Sequence, residues 1–274
     1  MELKTPLSYQ GGKSRISSKI VDIIEKDCNL EGKQYFHDFC SGSGAVSIEI
    51  FKRFPHLKVI MYDCSPMGLF YKMVKDGTFL MSEFKNEIEK IPTDLTKIKD
   101  YMDFLNKTDF TIYKFLILQA SSFGGKQVQY IKTNGEYSFG TNSFRQYWLP
   151  TETSSRRSPV NPMMPMPDTL FKNVKNIVEN FKPYEVYTGD LNNFVNGFEG
   201  STHIFYIDPP YENTSKYTVS LNNNNFYTKF DNIYVSEYKI LSNKYWEISS
   251  TNKGGISGNS NKNRVEILNK IEKL

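Results

Sequence analysis

The apolar positions of this chain repeat with two alternating periods. Isoleucines at 16, 20, 23 and 24 fall near helical spacing and predict an amphipathic helix over residues 14–27. The period then shortens. "QYFHDF" reads as a short strand, residues 41–44 as a Gly/Ser turn, and Ala45, Val46, Ile48, Ile50 and Phe51 as the apolar side of a second helix. "LKVIMYD" predicts another strand ending at Asp63, and "PMGLFYKMVKDG" a helix with Pro66 in its first turn. Strand, turn, helix, strand, helix in close succession is the βαβ pattern of a parallel sheet.

From about residue 78 to 187 the alternation stops. Charged helical segments such as "FKNEIEKI" and the apolar "TIYKFLILQA" give way to a region rich in Gly, Asn, Ser and aromatic residues. Within it, Asn134-Gly135 stands between residues of high strand propensity and predicts a β-hairpin. "SSRRSPVNPMMPMPD" cannot continue a helix or a central strand and reads as an exposed loop. The pattern therefore predicts a domain formed by residues 1–77 and 188–274, with an inserted, mainly helical domain at 78–187. Strand-like runs return in "YEVYTGD", "THIFYIDPP" and "NIYVSEYKI", bringing the sheet to at least five strands. Val265, Leu268 and Ile271 predict a closing helix.

Length and composition narrow the class. A chain of 274 residues with 39% hydrophobic and 23% charged residues can bury a full core. Aromatics at 15% supply stacking surfaces, and a net charge of +4 permits a polyanionic partner without demanding one. Cys28, Cys40 and Cys64 lack metal-ligand spacing and are odd in number, which fits structural thiols in a reducing compartment and no metal site. No segment reads as a signal peptide or a membrane span, so the expectation is a soluble, cytoplasmic protein acting as a monomer.

The chemistry concentrates at predicted strand ends, where open α/β sheets bind ligands. Asp38 begins the turn "D-F-C-S-G-S-G", in which Gly42 and Gly44 let the backbone approach a ligand. Asp63 follows about 20 residues beyond, where an acidic side chain would hold ribose hydroxyls. A plain strand-to-helix turn with a capping aspartate would read the same way. "YIDPPY" is more informative. Asp208 offers an acceptor-only carboxylate, and Pro209 and Pro210 stiffen the chain and remove competing N–H donors. Two acceptors can take both protons of a planar aromatic amine, with Tyr211 stacked on its ring. A duplex base reaches such a pocket only when flipped out, at a cost of a few kcal/mol that stacking at ~1–3 kcal/mol per base offsets.

In this order of motifs the chain resembles the Dam-like, alpha-group DNA adenine-N6 methyltransferases of bacteria and phages. The resemblance rests on "YQGGK" at 9–13, "DFCSGSG" at 38–44, "YD" ending at Asp63, "GD" at 189–190, "DPPYENTSKY" at 208–217 and "VSEY" at 235–238. It implies a Rossmann-like S-adenosylmethionine-dependent fold with an inserted target-recognition domain, and double-stranded DNA as partner. It also implies that Tyr9, Lys13, Asp38 and Phe39 line the donor pocket, with Lys13 facing the donor's carboxylate, and that Asp63 holds the ribose. Asp190 would help hold the target adenine, although Asp-Leu stands here where many members have Asp-Phe.

Between residues 120 and 160, Lys126, Lys132, Arg145, Arg156 and Arg157 face only Glu136 and Glu152 and are interleaved with aromatics, a composition suited to phosphate contact and base wedging. Two other readings remain open on sequence alone. The same pocket could act on an amine or amide of RNA or protein, or the chain could be a DNA-binding module with an inactive methyltransferase fold.

Overall fold

The computed structural model describes residues 2–9, 11–122, 125–144, 146, 148–155, 166–198, 200–210, 221, 226–251 and 264–272. The chain divides into two compact units. One holds Lys13–Lys75, Lys182–Thr214 and Val219–Leu274; the other holds Met1–Gly12 and Asp76–Phe181.

The larger unit is built on a seven-stranded sheet. Its strands are β1 (Tyr35–Phe39), β2 (Lys58–Tyr62), β5 (Glu185–Tyr187), β6 (His203–Ile207), β7 (Asn232–Glu237), β8 (Lys244–Thr251) and β9 (Arg264–Glu272), in the order β5-β2-β1-β6-β7-β9-β8. The first five strands in that order run parallel, and β9 runs antiparallel to both of its neighbours, β7 and β8. This is a mixed α/β fold with a mostly parallel central sheet.

The burial of each strand follows from its place. β1 is central, so Phe36, His37, Asp38 and Phe39 are all buried and its sequence does not alternate. Phe39, Ile60, Ile207 and Val235 point to one face, where Leu191, Phe226, Tyr227 and Phe230 cover them in a largely aromatic cluster. Asp38 points to the opposite face, toward α2 (Ala45–Arg53). α1 (Ser17–Cys28) packs on α2, and α3 (Pro66–Asp76) follows β2. Pro66 begins α3, where a missing N–H costs no hydrogen bond.

The smaller unit contains α4 (Met81–Glu89), α5 (Ile98–Leu105), α6 (Ile112–Ser121) and α7 (Pro167–Asn180), with β3 (Tyr130–Thr133) and β4 (Glu136–Phe139) as an antiparallel hairpin. The hairpin turns at Asn134 and Gly135, both with positive φ. α6 is buried along nearly its whole length, and α4 and α5 pack against it.

Two sequence expectations need correction. Residues 264–272 form a strand and not the predicted closing helix. β9 is paired on both edges by β7 and β8 and buries the consecutive residues Ile267, Leu268 and Asn269, so both of its faces are covered there and its apolar residues need not alternate, falling at spacings that also match a helix. β8, which no periodicity suggested, is its edge neighbour. The boundary placed at residue 187 is also late, because Glu185–Tyr187 pairs with β2 in the main sheet. Among the described residues, no helix is long and apolar enough to cross a membrane.

Candidate active site

β1 has β2 on one side and β6 on the other, so the carboxyl end of β1 lies where the strand order reverses. In open parallel sheets that crevice is the ligand site. Here Asp38, Asp63 and Asp208 converge.

The turn after β1 is built for close approach. Cys40, Gly42 and Gly44 all adopt positive φ, and the Ser41 amide donates to the Tyr62 carbonyl at 3.2 Å. Asp63 pins the turn from β2: its Oδ2 accepts from the Gly42 amide at 2.7 Å and its Oδ1 from the Ser65 amide at 2.8 Å. Gly68, in α3, lies so near the end of β2 that a Cβ there would overlap the Asp63 carbonyl. Gly44 is close against Tyr71, whose hydroxyl donates to the Ser43 carbonyl. The Ser41 hydroxyl oxygen is buried with no hydrogen-bond partner. An orphaned hydroxyl beside a glycine-rich turn and a strand-end carboxylate fits a polar nucleoside-type ligand.

Asp38 faces the first turn of α2. Its Oδ2 accepts from the Ser47 hydroxyl at 2.6 Å and the Ser47 amide at 3.1 Å. Burial raises the Asp38 carboxyl to about 7; the Ser47 bonds oppose this, and the nearby Asp208 and Asp63 charges add to it. Burial also raises Asp63, against its backbone hydrogen bonds. Phe39 is fully buried in the aromatic cluster, with Tyr62 stacked 4.4 Å away.

Asp208 follows β6, and its amide donates to the Phe39 carbonyl at 3.2 Å, which sets it beside the turn. Pro209 is buried and Pro210 half-buried. Lys13 approaches from the turn before α1, with its own carbonyl accepting from the Ile16 and Ser17 amides. Its buried ammonium lies 2.6 Å from Asp208 Oδ2 and 2.9 Å from Glu266 Oε1. Burial alone would lower the lysine's pKa, but the two carboxylates together raise it and keep the ammonium charged.

Residues 9–270 match the family described as D12 class N6 adenine-specific DNA methyltransferase. The chain belongs to that family. It is also similar to the Type II methyltransferase M.MjaIII of Methanocaldococcus jannaschii, at 27% identity over 246 residues, covering 84% of this chain and 75% of the relative. The protein is a site-specific DNA methyltransferase acting on adenine N6, and its family implies S-adenosylmethionine as methyl donor.

Other residues singled out in the methyltransferase's sequence are placed differently. Asp190 is exposed and caps the short helix Leu191–Asn193, its Oδ1 accepting from the Asn192 amide at 2.9 Å. Tyr9 belongs to the smaller unit, where its hydroxyl accepts from Gln127 Nε2 at 2.7 Å. Lys126 and Lys132 are exposed in that unit, Lys132 over the Tyr137 ring at 4.9 Å. Tyr211, Arg145, Arg156 and Arg157 lie outside the described residues.

Sequence reasoning missed Ser47, Gly68 and Glu266. Ser47 and Gly68 carry no motif of their own. Glu266 was hidden by the helical reading of its segment, although a glutamate between Val265 and Ile267 would have stood out in a strand.

Proposed function

We propose that the sheet unit carries out the transfer, with S-adenosylmethionine held at the carboxyl ends of β1 and β2 and an adenine flipped out of duplex DNA set against Asp208, Pro209 and Pro210. What supports this most directly is the Asp208 amide bonded to Phe39, which brings a carboxylate tethered to Lys13 beside the turn pinned by Asp63.

The bound donor supplies a methyl carbon made electrophilic by a sulfonium. Gly42, Gly44 and Ser41 would hold it, with Asp63 keeping the turn in shape for the ribose. Asp208 and a prolyl carbonyl accept hydrogen bonds from the two N6 protons, drawing the nitrogen lone pair out of conjugation. The donor would supply its methyl group to N6, the S–C bond breaking as the N–C bond forms, and one N6 proton would leave to solvent, since a carboxylate is a weak base at neutral pH. Tyr211 would stack on the flipped ring, and Asp190 would help hold the adenine. Positioning and fixed charge supply most of the acceleration.

In this reading residues 76–181 recognise DNA. Exposed Lys126, with Lys132 and Ile131 exposed on the β3–β4 hairpin, supports phosphate and groove contact, and by sequence Arg145, Arg156 and Arg157 would add to the basic set. All these groups come from one chain, which acts as a monomer.

The test is tritium transfer from labelled donor to duplex DNA, RNA and protein side by side, with products mapped as N6-methyladenine. Duplex-specific labelling is the expected result; labelling of RNA or protein in preference to duplex would overturn the reading. Removing Lys126 and Lys132 should flatten the log affinity against log salt slope by ~0.9 per lost contact, and an unchanged slope would remove the proposed DNA surface.

A further inference from the structure

The Lys13 ammonium is shared between two carboxylates, and only one of them belongs to the aspartate–diproline segment. The second, Glu266, comes from β9. Because β9 runs antiparallel to β7, its opening residues lie at the end of the sheet where the parallel strands finish. Ile267 pairs with Glu237, the last residue of β7, and Glu266 extends beyond it toward the switch point. Glu266 Oε1 lies 2.9 Å from Lys13 Nζ, and its Oε2 receives a long 3.4 Å contact from the Ser249 hydroxyl on β8. Side-chain exposure is 5% for Lys13, 13% for Glu266 and 19% for Asp208, so water screens these charges little.

We propose that Glu266 is a positioning residue for methyl transfer, acting through Lys13 on Asp208. This rests on the role given to Asp208 above. A buried ammonium with a single carboxylate partner would settle wholly on that partner, using the acceptor capacity that the target amine needs. Glu266 holds Lys13 from a second strand, β9. Lys13 then fixes the Asp208 carboxylate through Oδ2 without being free to move across its whole acceptor edge. A second carboxylate also keeps the site's net charge negative beside an electrophile that carries positive charge.

The experiment uses the full chain with Glu266→Gln, Glu266→Asp, Lys13→Ala, Asp208→Ala and the double variant Lys13→Ala/Glu266→Gln. Methyl transfer is measured from tritiated S-adenosylmethionine to plasmid duplex from a host lacking adenine methylation, with donor affinity by calorimetry and thermal unfolding alongside. The Glu266→Gln variant should lose kcat about tenfold or more, the scale of coupling within a shared charge network, while KM for DNA, donor affinity and unfolding temperature stay near parental. Glu266→Asp should recover part of the rate, and serves as the test if the glutamine variant is too unstable to purify. In the Lys13→Ala background the Glu266→Gln change should cost nothing further.

Parental kcat in Glu266→Gln, or full additivity with Lys13→Ala, overturns the proposal. So does a rate loss matched by an equal loss of donor binding and stability. The Asp208→Ala variant separates the two levels. If it is inactive while Glu266→Gln is parental, only the role of Glu266 fails; if it remains active, the reading of Asp208 fails as well.

Discussion

The Lys13 ammonium lies 2.6 Å from Asp208 Oδ2, across 195 residues of chain. One partner stands at the entrance to α1 and the other at the end of β6. Their meeting at the carboxyl end of the sheet joins the first motif of the chain to the aspartate–diproline segment. A charge-assisted bond of this length between largely buried groups fixes the carboxylate's direction.

Replacing Asp208 by alanine should leave folding and donor binding largely intact, because Lys13 keeps Glu266 as a partner. Methyl transfer should fall by at least ~10²–10³, the scale for removing one preorganised polar group from a transition state. Calorimetry with the donor and a single-turnover assay on the same preparation check this. Substantial residual turnover would remove Asp208 from the chemistry.

Asp63→Ala should weaken donor binding. The carboxylate accepts from the Gly42 and Ser65 amides, and hydrogen bonds to a charged group contribute about 1.5–3 kcal/mol each. Losing them frees the turn, so the donor dissociation constant should rise roughly tenfold or more while saturating donor restores much of the rate. An unchanged affinity would confine Asp63 to shaping the end of β2.

Gly68→Ala tests how closely α3 must approach that strand end. The added methyl would overlap the Asp63 backbone carbonyl, and backbone cannot give way as a flexible side chain can. A loss of ~1–3 kcal/mol in denaturant unfolding is expected. Gly32→Ala is the control: nothing lies near its added Cβ, and the change should stay within about 0.5 kcal/mol. Equal stability in the two variants would contradict the close approach.

Asp38 should make stability pH-dependent. Its carboxyl titrates at about 7 in the folded chain against an ordinary 3.8, raised first by burial. Between these values the folded state holds a proton that the unfolded state has released, so the contribution is present at low pH and is lost as pH rises through 7. In Asp38→Asn, whose amide oxygen can still accept from Ser47, the decline in urea midpoint between pH 5 and 8 should be shallower. Parallel pH profiles for parent and variant would show that Asp38 does not titrate in this window.

Local patterning determined much of this protein before any fold was known. Helical spacing marked α1 to α3, β-like runs marked β1, β2, β6 and β7, and the Gly/Ser turn and aspartate–diproline segment marked two strand ends as chemical. Those signals are local, since periodicity and turn residues act over a few positions. Tertiary structure decided the rest. Val265, Leu268 and Ile271 suit either a helix or a strand covered on both sides, and only the neighbours β7 and β8 selected the strand. That choice brought Glu266 to Lys13. Phe39 and Asp38 are adjacent in sequence, yet the pleat sends one into the aromatic cluster and the other to Ser47. Which carboxylate meets which cation depends on strand order and register, and no short stretch of sequence carries either.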